Sequence, residues 1–212
     1  MKATRELVYL VDDDLRIRES IIELLESLQF EAIAFESAAA FLDHIRTDDA
    51  ACMILDLQLP DINGLDLQKR LNDENSMPII FISGHGDVPT TVKAMKAGAI
   101  EFLTKPIHEE SLIETVRGAL VKDRKIRSKR AELAVLQERL ASLTPREREV
   151  FPLIIGGLLN KQVAATLGIS EVTVQVHRGQ VMRKMAADSF ADLVRMASRL
   201  GIKYRSGDHR GV

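Results

Sequence analysis

The stretch Val8-Tyr9-Leu10-Val11-Asp12-Asp13-Asp14 sets four consecutive apolar residues directly before three carboxylates. A short, continuously apolar run is the pattern of a strand buried on both faces, as in a parallel sheet covered by helices. Downstream, Ile17, Ile21, Leu24, Leu25 and Leu28 recur at helical spacing. The same alternation repeats four more times. Strands are expected over 31–35, over Cys52-Met53-Ile54-Leu55, over 79–82 and over 100–104. The helices between them are expected from Ser37 through Phe41, Leu42 and Ile45, around Leu65, Leu67 and Leu71, over 89–97 with Gly98 as C-terminal cap, and over 109–121. Five βα units imply an α/β doubly wound, five-stranded parallel sheet of flavodoxin-like type. In such sheets ligands gather at the carboxyl ends of the strands, so chemistry is sought just after each one.

The residues at those ends form a pattern. Asp12, Asp13 and Asp14 follow the first strand, Asp56 the third, Ser83 the fourth and Lys105 the fifth. Carboxylates that converge repel one another unless a cation joins them, and Mg²⁺ suits an all-oxygen donor set. A hydroxyl and an ammonium beside them complete a phosphoryl-transfer constellation, with a carboxylate as nucleophile and cations neutralising the transferring group. Asp56 is the best nucleophile, as the lone acid at the central strand end. Asp12 and Asp13 would hold the metal, Asp13 directly. Any one aspartate after a strand is more often a turn or a helix cap; it is the ordered set that carries weight.

Two enzyme classes fit less well. Phosphatases with an aspartate nucleophile place a second Asp two residues later as general acid, where this chain has Gln58. Dinucleotide-binding folds need a Gly-x-Gly-x-x-Gly loop after the first strand, where this chain is acidic.

Val11-Asp12-Asp13-Asp14, Leu55-Asp56-Leu57-Gln58-Leu59-Pro60-Asp61-Ile62-Asn63-Gly64, Ile82-Ser83-Gly84-His85-Gly86 and Lys105-Pro106 resemble, in order and spacing, the receiver domain of response regulators, over about residues 5–121. The resemblance implies that Asp56 takes a phosphoryl group from a sensor histidine kinase. It implies that the Gln58 backbone carbonyl ligates Mg²⁺ alongside Asp12, Asp13 and Asp56. Ser83 then moves to hydrogen-bond the phosphoryl group, Phe102 is the switch aromatic that turns inward with it, and Lys105-Pro106 is a cis peptide. No enzyme activity is implied beyond the receiver's own Mg²⁺-dependent phosphorylation and dephosphorylation.

The rest of the 212-residue chain differs in charge. Residues 1–121 carry 11 Lys and Arg against 22 Asp and Glu, a net −11, whereas residues 122–212 carry 18 against 9, a net +9. An acidic half joined to a basic half points to different partners, the basic one a candidate for nucleic acid. Residues 122–141 are expected to be a helical linker. Ile126, Leu133 and Leu140 share one heptad position, and Lys129, Leu136 and Leu143 lie on the other. That is short of a coiled coil, so pairing with a second copy and packing against its own domain both stay open. Residues 142–204 are expected to form an all-α, four-helix domain. Thr144-Pro145-Arg146-Glu147 opens it as a capping box. Further helices are expected over 160–167, capped by Asn160, from Ser170 to about Met185, and over 188–200. A polar tail covers 205–212.

Short helices joined at Gly168 are the helix-turn-helix pattern. Leu143 to Val150, Gly157 to Ala164 and Leu167 to His177 resemble the LuxR-type helix-turn-helix, and the whole chain resembles the FixJ subfamily of response regulators. On the third helix, Val174, His177 or Val181, and Met185 should face the core, leaving Val172, Gln175, Val176, Gly179 and Arg183 outward. Gln175 could read adenine and Val176 a thymine methyl. Lys161, Thr173, Arg178 and Lys184 are expected phosphate contacts, which position rather than specify. Gly179 departs from the longer side chains common there. The five histidines, at 44, 85, 108, 177 and 209, show no metal-ligand spacing. The resemblance implies a phosphorylation-dependent regulator of transcription, an activator, working on promoter DNA and RNA polymerase as a phosphorylation-dependent homodimer. Whether control is by unmasking or by dimerisation stays open. No apolar run approaches a membrane span, no signal-peptide pattern opens the chain, and Cys52 is alone, so no membrane association and a cytoplasmic location are expected.

Overall fold

The computed structural model describes residues 6–45, 49–74, 77–84 and 86–204. The expected polar tail lies outside them, as do His85 and His209. The chain forms two compact units, Met1–Arg127 and Ser128–Val212.

The first unit is built on β1 (Glu6–Val11), β2 (Glu31–Phe35), β3 (Ala50–Asp56), β4 (Ile79–Ser83) and β5 (Glu101–Thr104). All neighbours pair in parallel in the order β2-β1-β3-β4-β5, the doubly wound sheet expected. Alternation along each strand sorts the core into two layers. Leu7, Tyr9 and Val11 of β1 pack with Met53 and Leu55 of β3 on one face. Val8 and Leu10 pack with Cys52 and Ile54 on the other. The first layer is closed by α2 (Ala38–Leu42), α3 (Gly64–Glu74) and α4 (Val88–Lys96), the second by α1 (Leu15–Ser27) and α5 (Glu109–Ala141). Each fully buried Leu or Ile in these layers stabilises the fold by about 1.5–3 kcal/mol. Cys52 is buried among them, and burial, with the charges of Asp123 and Glu6 adding to it, drives its thiol pKa upward. It is an inert, protonated thiol.

Three local expectations change. Helix α2 is capped by Ser37 as anticipated, but it stops at Leu42. Ile45 is 89% exposed and is not part of the core. Strand β5 begins at Glu101 rather than Ile100. The expected linker over 122–141 is not a separate element. It is the continuation of α5, which runs unbroken for 33 residues because no Gly or Pro interrupts residues 119–144.

The second unit, from Ser128 on, contains the end of α5, then α6 (Pro145–Ile155), α7 (Asn160–Leu167), α8 (Glu171–Met185) and α9 (Phe190–Arg199). Its core holds Leu143, Val150, Phe151, Leu153, Ile154, Val163, Val174, Val181, Met185 and Leu193, with Leu140 packed against it. The end of α5 therefore packs on its own unit. Arg139 adds a hydrogen bond to the Met185 carbonyl at 3.0 Å. The Thr144 capping box forms as expected, its hydroxyl accepting from the Glu147 amide and the Glu147 carboxylate accepting from the Thr144 amide. The cap of α7 differs. Leu159, not Asn160, holds the N-cap position, and the Gln162 side chain accepts the Leu159 amide at 2.8 Å. Gly168 closes α7 at φ 66°, in the left-handed region, where a side chain would be strained. That turn aims α8.

Candidate functional site

Because β1 and β3 are adjacent and parallel, Asp12 and Asp56 emerge side by side at the carboxyl edge. Lys105, just after β5, reaches both. Its ammonium Nζ lies 2.7 Å from Asp12 Oδ2 and 2.6 Å from Asp56 Oδ2. Asp12 and Asp56 are buried and Asp13 is exposed, and carboxylate oxygens of all three fall within 4.8 Å of one another. Asp14, the third acid of the run, is occupied as the N-cap of α1, accepting from the Arg16 amide at 2.8 Å.

Local hydrogen bonds hold these groups in place. Asp12 Oδ1 accepts from the Asp14 amide at 2.8 Å, and Asp56 Oδ1 from the Gln58 amide at 3.0 Å. Burial raises the Asp12 pKa and the Asp56 charge adds to the rise, against the Lys105 ammonium and the Asp14 amide. For Lys105, burial opposes the charged form, but the bonds and charges of Asp12 and Asp56 together outweigh it and its pKa is raised. The ammonium therefore stays charged between the two acids. Three carboxylates facing one lysine leave net negative charge, and their donors are all oxygen. That set fits a hard divalent cation such as Mg²⁺.

Ser83 ends β4, fully buried, and its carbonyl accepts the Lys105 amide at 2.8 Å. Phe102 in β5 is half-buried and stacked on Phe81, with ring centroids 6.1 Å apart and planes at 28°. A Cβ on Gly86 would sit 2.8 Å from the Phe102 ring, so glycine there leaves the ring its room. The Lys105-Pro106 peptide is cis.

Three residues have roles the sequence reading did not assign, although Asp61 and Gly64 stand in the motif quoted after β3. Arg18 Nη1 donates to the Asp12 carbonyl at 2.7 Å and fixes the end of β1; its place one turn into α1, four residues after the cap, was the available signal. Asp61 accepts from the Ala39 amide at 2.8 Å and so ties the loop after β3 to α2. Gly64 is required sterically, because a Cβ would lie 2.6 Å from the Asp56 carbonyl oxygen.

In the second unit, Val174, Val181 and Met185 of α8 are buried, and His177 is half-buried. The outward face carries Val172, Gln175, Val176, Gly179 and Arg183, all exposed, Val172 to 72%. A Cβ at Gly179 would meet open space, so internal packing does not demand glycine there. Lys161 is exposed on α7, and Thr173 shares a hydrogen bond with the α8 cap, Ser170, at 2.8 Å. Arg178 lies over the Phe190 ring, 5.1 Å from its centroid, and donates to Asn160 Oδ1 at 3.5 Å. Lys184, another expected phosphate contact, is part-exposed and engaged from inside: its ammonium is 2.7 Å from the buried Glu147 carboxylate and 3.2 Å from the Ser142 carbonyl.

A parallel sheet with an acid cluster at one rim, followed by a helix-turn-helix unit, defines a two-domain signalling regulator. The comparisons agree. The response regulator receiver domain family matches residues 8–117, and the bacterial regulatory proteins of the luxR family match residues 141–197. The chain belongs to the response regulators that join a receiver to a luxR-type DNA-binding domain, the FixJ-like group. It is 46% identical to Nodulation protein W of Bradyrhizobium diazoefficiens over 94% of this chain and 88% of that one. It is 39% identical to the transcriptional regulatory protein FixJ of the same organism, over 94% and 98%. Among solved structures, the response regulator StyR matches with a TM-score of 0.83 at 43% identity, covering 92% of this chain and 99% of that one. Among the described residues no helix is long and apolar enough to cross a membrane.

Proposed function

We propose that this chain is a phosphorylation-dependent transcription activator in which Asp56 is the phosphoacceptor. The observation that carries this is Lys105 Nζ bridging Asp12 and Asp56 beside Asp13 at one rim of the sheet. A carboxylate oxygen of Asp56 attacks the phosphorus of a phosphohistidine on a sensor kinase. The O–P bond forms as the P–N bond breaks, and the nitrogen electron pair returns to the imidazole. Lys105 neutralises charge on the phosphoryl oxygens. Asp12, Asp13, Asp56 and the Gln58 carbonyl would hold Mg²⁺, which when bound neutralises further charge on the transferring group.

The phosphoryl group carries about −1.5 to −2 charge where the Asp56 carboxylate carried −1, which moves the negative charge outward and raises it by at most about one. It competes with Asp12 for Lys105 and attracts the Ser83 hydroxyl, favouring an inward setting of Phe102. This shifts a pre-existing equilibrium in proportion to the differential affinity of the two states. The active chain dimerises, binds promoter DNA through α8 and engages RNA polymerase, all in the cytoplasm. Gln175 and Val176 read base edges, and Lys161, Thr173, Arg178 and Arg183 meet the backbone.

The test is selection of binding sequences from random DNA by the full chain, with and without acetyl phosphate and Mg²⁺. Enrichment of a two-fold-symmetric site, stronger with the phosphodonor, is expected; no enrichment in either condition refutes the reading. A second measurement separates the roles on α7 and α8. Gln175→Ala should cost about 1–3 kcal/mol on the selected site and relax preference at one base position. Lys161→Ala should weaken all DNA alike and lower the salt slope by about one unit. Equal losses from both variants on selected and scrambled DNA would refute that division.

A further inference from the structure

Helix α5 is fastened to the same two strands that carry the acid site, at their opposite ends. At the carboxyl edge, β1 leads into Asp12 and β3 ends in Asp56. At the amino edge, Arg124 of α5 forms an ion pair with Glu6, the first residue of β1. Its neighbour Asp123 is 2% exposed and accepts the backbone amide of Ala51, in β3, at 2.9 Å. The same Asp123 oxygen meets Arg127 Nε at 2.6 Å. A carboxylate so buried is tolerated only with partners, and here one of them is a sheet amide 72 residues away. The other end of α5 begins at Glu109, four residues after Lys105, whose ammonium bridges Asp12 and Asp56. Between the two ends Leu112, Val116, Ala119 and Leu120 are buried in the sheet's second layer. Past Arg127 the helix continues unbroken to Ala141, into the DNA-binding unit.

We propose that Asp123 is the positioning residue that couples the state of Asp56 to the DNA-binding unit, by holding the outgoing turn of α5 on the amino end of β3. The inference rests on the phosphorylation-dependent function proposed above. A small displacement of β1, β3 or the start of α5 at the acid site moves the exit of the helix only while both ends stay attached. Released at Asp123, the exit turn frays and no longer registers that displacement. Mere intermediacy in space is no evidence of coupling, so the test measures the coupling itself.

The readout is the ratio of DNA dissociation constants, unphosphorylated over phosphorylated, for the full chain on its selected site. Asp56 labelling and the melting transition are followed alongside. Asp123→Ala should lower the ratio at least threefold while the labelling rate stays within twofold of wild type. Asp123→Asn, which keeps a neutral acceptor for the Ala51 amide, should retain more of the ratio. A purely structural residue would lower the melting temperature and leave the ratio of the folded protein unchanged. An Asp123→Ala ratio equal to wild type overturns the inference. Should Asp123→Ala fail to fold, Asp123→Ser, whose shorter side chain cannot span the 2.9 Å contact to the Ala51 amide, carries the test: a lowered ratio supports the coupling, and an unchanged one overturns it. A wild-type ratio of one would instead overturn the phosphorylation-dependent function, and this inference with it.

Discussion

Asp56→Asn is expected to reduce Mg²⁺-dependent incorporation of phosphate from acetyl phosphate by more than about a hundredfold, the scale of loss when a nucleophile is removed. The carboxamide is nearly isosteric, and its oxygen can still accept the Gln58 amide that Asp56 Oδ1 accepts at 3.0 Å. The loop after β3 therefore keeps its shape, and the loss reports chemistry rather than misfolding. What disappears is the anionic oxygen now 2.6 Å from Lys105 Nζ. Lys105 keeps Asp12 at 2.7 Å, so the variant retains an ion pair and loses one of two neighbouring negative charges. Its thermal stability without metal should match or exceed wild type. Phosphoprotein gels after acetyl phosphate treatment check the labelling, and calorimetry checks the melt. Labelling that persists at wild-type rate, on Asp12 or Asp13 or elsewhere, would remove Asp56 as acceptor.

The sheet was legible because β1, β3 and β4 are buried along their whole length or nearly so, and such strands write themselves as uninterrupted apolar runs. β5 is one of the two edge strands, with Glu101 and Thr104 exposed, and there the apolar signal blurs the boundary by one residue. The acid site was legible for a related reason. In a parallel sheet every strand's carboxyl end lies on one rim, so position after a strand translates into position in space. What depends on contacts between distant segments was not legible. Lys184 reads as a free basic residue on a DNA-binding helix until Glu147, 37 residues earlier, is seen beneath it. Asn160 is a good cap by residue type, yet the Gln162 side chain satisfies the preceding amide and moves the cap back to Leu159. The continuity of α5 could have been read from the absence of any breaker. It was obscured by the change from apolar to basic composition after Val121, which marks a change of surroundings and not an end of helix.

Glu147→Ala is expected to destabilise the DNA-binding unit by about 2 kcal/mol, the combined scale of a lost N-terminal cap and a lost hydrogen bond to a charged group. For a domain of this size that lowers its melting temperature by roughly 10 °C. The buried carboxylate does two things at once. Its Oε2 accepts the Thr144 amide at 2.7 Å, closing the capping box that starts α6, and pairs with the Lys184 ammonium, also at 2.7 Å, joining α6 to the last turn of α8. Removal leaves Lys184 three-quarters buried with only the Ser142 carbonyl, which costs more than a surface pair would. Burial by itself would raise the Glu147 pKa. The Lys184 hydrogen bond and charge, with the two Thr144 bonds, together outweigh it, so the folded pKa lies below the usual glutamate value. The folded state thus holds the proton less tightly than the unfolded chain. Its stabilisation is complete above the unfolded glutamate pKa and is lost as pH falls through the depressed folded value. The stability gap between wild type and Glu147→Ala should accordingly be full at pH 7, stay nearly so at pH 5, and shrink below about pH 4. Urea unfolding followed by circular dichroism at pH 7, 5 and 3.5 measures the gap. A gap that does not change with pH would place its origin in packing of the side-chain methylenes and deny the ion pair its role in fixing α8 for DNA.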